Sequence, residues 1–123
     1  MISQGEVYWV DLGPPRGSAS GFLHPHVVIQ NDRFNHSSIA TTVVCLITSK
    51  LRLAMAPGNV LLEEGEANLP KASVVNVSQL LTVDKQELVE KIGTLSEVRL
   101  REVLAGVDRV LAPRRFEPFS AKS

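Results

Sequence analysis

Short runs of β-branched and aromatic residues follow one another from residue 6 to residue 83, and turn-forming residues cut each off before it can lengthen. Residues 6–12 form the first run. It stops at Gly13-Pro14-Pro15-Arg16-Gly17-Ser18-Ala19-Ser20-Gly21, where prolines lack the donors a sheet ladder needs and glycines favour turns. Val27-Val28-Ile29 comes next, closed by Asn31-Asp32. Residues 41–47 are dense in β-branched side chains and make the strongest strand of the chain. Pro57-Gly58 turn into a run at 59–62, residues 65–68 break the pattern, and a strand at 73–77 runs towards another at 79–83. Strands this short and this closely spaced predict a closed or nearly closed all-β core.

Helix enters late. Asp84 and Glu87 have the spacing of a capping box for a short helix, and Ile92-Gly93-Thr94 returns to extended chain. Ser96 then caps a longer helix over 97–111. Its Leu100, Val103, Leu104, Val107 and Leu111 recur at helical spacing, while Arg99, Arg101, Glu102, Asp108 and Arg109 fall mostly on the other side. Gly106, in mid-helix, costs about 1 kcal/mol against alanine, so close packing is the expected reason for it. After Pro113 the chain has no period, and the expectation is one domain over residues 1–112 with a mobile tail over 113–123, where Phe116 and Phe119 are the aromatics free to dock.

A chain of 123 residues, 44% hydrophobic, can build one core and not two. Its 13 basic and 13 acidic side chains cancel, which argues against a uniformly positive surface that coats nucleic acid but leaves room for a local basic groove. Aromatics at 5% speak against a general RNA-binding barrel that stacks bases along its face. The single cysteine, Cys45, forms no internal disulfide and reads as a small buried hydrophobe in its apolar run. The N-terminus has no basic region leading into an apolar one, and no apolar run approaches the ~18 residues of a membrane span. The expectation is a soluble, cytoplasmic protein without membrane contact.

Read in order, several segments resemble the MazF/PemK family of toxins: Gly5-Glu6-Val7-Tyr8-Trp9-Val10-Asp11-Leu12, Gly17-Ser18, Pro25-His26-Val27-Val28-Ile29-Gln30-Asn31-Asp32, Ile47-Thr48-Ser49, Pro57-Gly58-Asn59-Val60, Leu69-Pro70-Lys71 with Ser73-Val74-Val75, Gln79 with Thr82-Val83-Asp84-Lys85, and Ile92-Gly93-Thr94-Leu95. No single piece is specific; their order is. The resemblance implies an SH3-like small β-barrel, mostly β with a C-terminal helix. It also implies a homodimer, a cognate MazE-like antitoxin bound across the active groove, and an mRNA interferase that cuts single-stranded RNA at short motifs without a metal. A second reading on the same barrel is a non-catalytic toxin that docks a gyrase, as CcdB does.

The resemblance also points to site residues. An arginine before the second-strand proline and a threonine at the end of the third strand carry the chemistry in the family. Thr48 is present, but His24 stands where the arginine is expected. Two readings stay open for His24. An imidazole shuttles protons near neutral pH better than a guanidinium, which makes it a working replacement. It also lacks the permanent charge and the bidentate fork, which would leave an attenuated enzyme. Around this pair, Arg16, Ser18, Ser49, Lys50, Arg52 and Gln79 are the candidate RNA contacts. Ala19 and Leu81 replace an acid and an arginine common in the family, which puts the cleavage motif in question. His24 and His26 share a face by strand alternation, with His36 further on, but no Asp, Glu or Cys completes a metal set at a convincing spacing. No metal and no cofactor are expected.

Overall fold

The computed structural model describes residues 1–14 and 23–115. Six strands make one antiparallel sheet: β1 (Glu6–Asp11), β2 (Leu23–Val28), β3 (Thr41–Thr48), β4 (Val60–Leu62), β5 (Ser73–Asp84) and β6 (Leu88–Thr94), ordered β4-β5-β3-β2-β1-β6. A single turn of helix, α1 (Asp32–Asn35), joins β2 to β3, and α2 (Glu97–Leu111) ends the fold. Among the described residues no ladder joins β4 to β6, so the expected small barrel takes the form of a curled half-barrel. A turn at Glu66–Asn68 lies along β6 instead. Asn68 Nδ2 donates to the Ile92 carbonyl at 3.1 Å, and a Cβ on Gly93 would collide with the Ala67 carbonyl. Arg99 of α2 holds the same turn through a two-pronged contact with Glu66, 2.9 and 3.0 Å long.

Both faces of the central strands are buried. Val7, Val27, Cys45, Ile47, Val75 and Val77 pack with Val103 and Val107 of α2, while Val10, Val28, Val44 and Val83 form a second cluster. Neighbours such as Val27 and Val28, or Val44 and Cys45, therefore point into different clusters, which explains continuous apolar runs in place of strict alternation. Burial also pushes the Cys45 thiol up to about 12, so it stays protonated and inert.

Helix α2 starts where Ser96 Oγ accepts from the Arg99 amide at 3.2 Å, a cap whose loss costs about 1 kcal/mol. Val103, Gly106 and Val107 are buried, and Leu100 and Leu104 pack partly against the core. Leu111, expected on the packed face, is 65% exposed: the last turn runs past the sheet. At Gly106 the helix backbone meets the Pro57-Gly58 turn so closely that a Cβ would collide with the Gly58 carbonyl. Gly58 itself has φ +82°, a conformation that favours glycine.

Several local readings change, and the brief extended stretch expected at Ile92-Gly93-Thr94 is a full strand from Leu88. The second strand begins earlier than expected, at Leu23, and so takes in His24 and His26. Asn31 is not a simple turn residue: its Oδ1 accepts from the Arg33 amide at 2.8 Å and caps α1. The two segments expected at 73–77 and 79–83 are one strand, β5, interrupted by a bulge. The capping box of Asp84 and Glu87 is formed, on a 3-10 turn over Lys85–Glu87. Most of the tail after Pro113, with Phe116 and Phe119, lies outside the described residues.

Candidate active site

Two sheet neighbours part company at the site. Strands β2 and β3 pair as Val28↔Val44, Val27↔Cys45 and His26↔Leu46, and there the pairing stops. The Ile29 amide donates to the Val43 carbonyl of β3 at 3.0 Å. Alternation turns the nitrogen of Pro25 towards β3 as well, where it has no hydrogen to give. Beyond that point β2 continues on β1 alone, through Pro25↔Trp9, His24↔Val10 and Leu23↔Asp11. Strand β3 continues on β5 alone, through Ile47↔Val75 and Thr48↔Val74. Had the register run on for two residues, His24 would have faced Thr48. Instead they stand on opposite lips of a cleft of about 740 Å³.

The bulge in β5 builds the floor. Asn76, Val77, Ser78 and Gln79 together oppose Leu46, because β3 advances from Cys45 to Ile47 while β5 passes from Leu80 to Val75. Asn59 pins the bulge: its Nδ2 donates to Asn76 Oδ1 at 3.3 Å and its Oδ1 accepts from the Val77 amide at 2.9 Å. Bulges re-aim side chains that a regular strand would send elsewhere, and here Asn76 and Gln79 both line the cleft. Ser49, Lys50, Lys71 and Ser73 complete the polar lining among the described residues, with Trp9 among the apolar ones.

Electrostatically the cleft is one-sided. Among the described residues His24, Lys50 and Lys71 line it and no carboxylate does, in a protein whose formal charges sum to zero. Thr48 Oγ1 accepts from the Lys50 amide at 3.2 Å, which spends a lone pair and leaves the hydroxyl hydrogen free for a ligand. His26, beneath this lip, is only 2% exposed, and burial pushes its imidazole down to about 4.

Of the residues expected from the sequence, His24, Thr48, Ser49, Lys50 and Gln79 come together on this cleft. Arg52 does not; it is exposed on the 3-10 turn Leu51–Met55 and is absent from the cleft lining. Arg16 and Ser18, with Ala19, lie outside the described residues. Leu81 is 37% exposed and pairs with Val44. His36 belongs to another contact, its Nε2 3.1 Å from Ser3 Oγ, and no three His, Cys, Asp or Glu gather at metal-binding distance among the described residues. Sequence reasoning passed over Lys71 and Asn76 as site residues. Lys71 carried a signal, a cation in the turn leading into β5, but Asn76 reaches the cleft only through the bulge.

A curled half-barrel under one C-terminal helix, open at a strand junction onto a cationic cleft, defines a class of small domain shaped to take an anionic, extended ligand. Within that class the chain belongs to the PemK-like, MazF-like toxin family of type II toxin–antitoxin systems, whose profile matches residues 3–111. It is 43% identical over 111 residues to the endoribonuclease MazF2 of Mycobacterium bovis, covering 90% of this chain and 97% of that one. Identity to the endoribonuclease MazF of Staphylococcus saprophyticus is 39% over 108 residues, 88% of this chain and 89% of the relative. Among solved structures, a mycobacterial endoribonuclease in complex with its cognate antitoxin superposes with a TM-score of 0.75 at 22% identity, over 94% of this chain and 100% of that one. MazF from Deinococcus radiodurans gives a TM-score of 0.73 at 21% identity, over 91% and 97% of the two chains. These two share the fold. Among the described residues no helix is long and apolar enough to cross a membrane.

Proposed function

We propose that this protein is the toxin of a toxin–antitoxin pair and a metal-independent endoribonuclease that cuts single-stranded mRNA in the cytoplasm. The observation that carries the reading is the cleft: His24 and Thr48 line it together where β2 and β3 have parted, with Lys50 and Lys71 and, among the described residues, no carboxylate. The curated relatives named above are endoribonucleases, and nothing in the cleft favours the gyrase-docking alternative.

The chemistry needs a nucleophile, a proton acceptor, a proton donor and positive charge on one phosphate. The nucleophile is the substrate's own 2′-hydroxyl. As its oxygen bonds to phosphorus, its proton passes to a base; the bond from phosphorus to the 5′-oxygen breaks, and that oxygen takes a proton from an acid. The products are a 2′,3′-cyclic phosphate and a 5′-hydroxyl. His24 is the proton-transfer group, Thr48 donates its free hydroxyl hydrogen to a non-bridging oxygen, and Lys50 and Lys71 offset the charge of the phosphate. Ser49, Gln79 and Asn76 supply donors and acceptors for neighbouring nucleotides, which is how short motifs are selected.

A MazE-like antitoxin laid across this cleft silences the enzyme by filling the RNA path. The active form is a homodimer, because a half-barrel leaves a groove that a second copy lengthens. Light scattering checks the dimer; a mass near the 13.4 kDa of one chain would reject it. The nuclease itself is tested by incubating a long single-stranded RNA with pure protein in excess EDTA. Discrete fragments with cyclic phosphate ends are expected; intact RNA, or fragments ending in a 3′-hydroxyl, would refute the mechanism.

A further inference from the structure

Among the described residues His24 is paired on one side only, unlike His26 and Val27 of the same strand, which are paired on both. It lies beyond the last β2–β3 pair, so only β1 restrains its peptide by strand pairing. A side chain also reaches that peptide: Nδ1 of His26 lies 3.0 Å from the His24 carbonyl oxygen. A carbonyl can only accept, so Nδ1 carries the hydrogen and Nε2 is bare in the neutral ring. The ring is 2% exposed and is among the largest fully buried side chains of the protein, at a position where an aliphatic residue would fill the core without a polar cost. Its depressed basicity keeps it neutral at physiological pH, so the tautomer is set by the carbonyl it faces.

We propose that His26 is a positioning residue for His24, its Nδ1–H fixing the His24 carbonyl where β2 has left β3 and thereby holding the His24 imidazole over the cleft. The proposal rests on the nuclease reading for its consequence in catalysis, though not for the contact itself. Pro25, between the two histidines, limits the backbone on one side of His24, and the His26 bond limits it through the carbonyl. Small displacements of a reacting group cost large factors in rate, so a second restraint on a residue at an open strand end has a kinetic effect.

Two variants separate positioning from packing. His26→Phe keeps ring volume and loses the donor; His26→Asn loses volume and keeps an N–H close to the Nδ1 position. The expected result is a kcat about ten-fold lower or more in His26→Phe with KM nearly unchanged, and kcat restored to within roughly three-fold of the parent in His26→Asn. Equal kcat in the parent and His26→Phe would overturn the proposal, as would a greater loss in His26→Asn than in His26→Phe, which would mark the ring as core filler. NMR of the His24 ring signals at one fixed pH supplies a readout that needs no cleavage. They are expected to shift in His26→Phe and to stay near the parent's in His26→Asn. If the parent cuts no RNA, the nuclease reading falls while these signals still decide the positioning role, and identical His24 signals in all three proteins would reject it.

Discussion

Under α2 the sheet is closed tightly. Gly106 of the helix rests on the Gly58 carbonyl, Val103 and Val107 meet Val75 and Val77, and Asn59 fixes both Asn76 and Val77. At the junction of β2 and β3 the same sheet comes apart. Pro25 ends the ladder, His24 and Thr48 line a cleft, and among the described residues the Thr48 hydroxyl accepts from the Lys50 amide without donating in turn. Each region is built from the same strands, β3 and β5, a few residues apart. Free energy of folding is therefore concentrated at one end, where backbone approaches backbone, and is forgone at the other, where unpaired groups wait for a ligand. Changes under the helix should unfold the protein, and changes at the cleft should silence it while leaving it folded.

The largest effect expected from this contrast is on the tight side. Gly106→Val forces a branched side chain against the Gly58 carbonyl and Val77, and should destabilise by about 3 kcal/mol or more. Urea unfolding measures it; a midpoint close to the parent's would show that α2 can ride up from the sheet and that the contrast is overstated.

A second effect, up to about 3 kcal/mol, is tied to pH. His26 has its folded value pushed down from 6.5 to about 4 by burial. The unfolded chain binds a proton below about 6.5 that the folded protein refuses until about 4. The stability from keeping His26 neutral is thus complete above that window and is lost as pH falls through it. Parent and His26→Phe unfolding curves compared between pH 7 and pH 4 check the sign: the parent should lose more stability on acidification than the variant. Parallel curves would mean that His26 is solvated.

The smallest effect distinguishes cleft cations from an ordinary surface cation. Lys71→Ala should weaken RNA binding by about 1 kcal/mol and reduce the slope of log affinity against log salt by roughly 1. Arg52→Ala, away from the cleft lining, should change neither. Equal losses in both would extend the RNA path beyond the cleft.

How far the sequence foretold this arrangement depends on how local each determinant is. Helix α2 was legible because a cap at Ser96 and an apolar period are written in consecutive residues, and so was the capping box at Asp84 and Glu87. The bulge of β5 was not, since it depends on Asn59 reaching Asn76 and Val77 from the turn that precedes β4. The pairing of His24 with Thr48 came from resemblance to a family; composition offers no reason to single out a threonine at a strand end. Lys71 and Arg52 are both cations in or beside turns, and only the course of the chain in space assigns the first to the cleft and the second to its outside. Leu111 follows the apolar period of α2 and still ends in water, because period describes a helix and not the length of the sheet beneath it.

The central claim is that His24 and Thr48 act on one phosphate across the gap between β2 and β3. Its most direct test is single-turnover cleavage of a single-stranded RNA in excess EDTA by the parent, His24→Gln and Thr48→Ala, each first shown to be folded. The account predicts cyclic phosphate ends from the parent and rates lower by roughly 100-fold or more in both variants, with free energies of unfolding within about 1 kcal/mol of the parent's. Variants that cut as fast as the parent would contradict it.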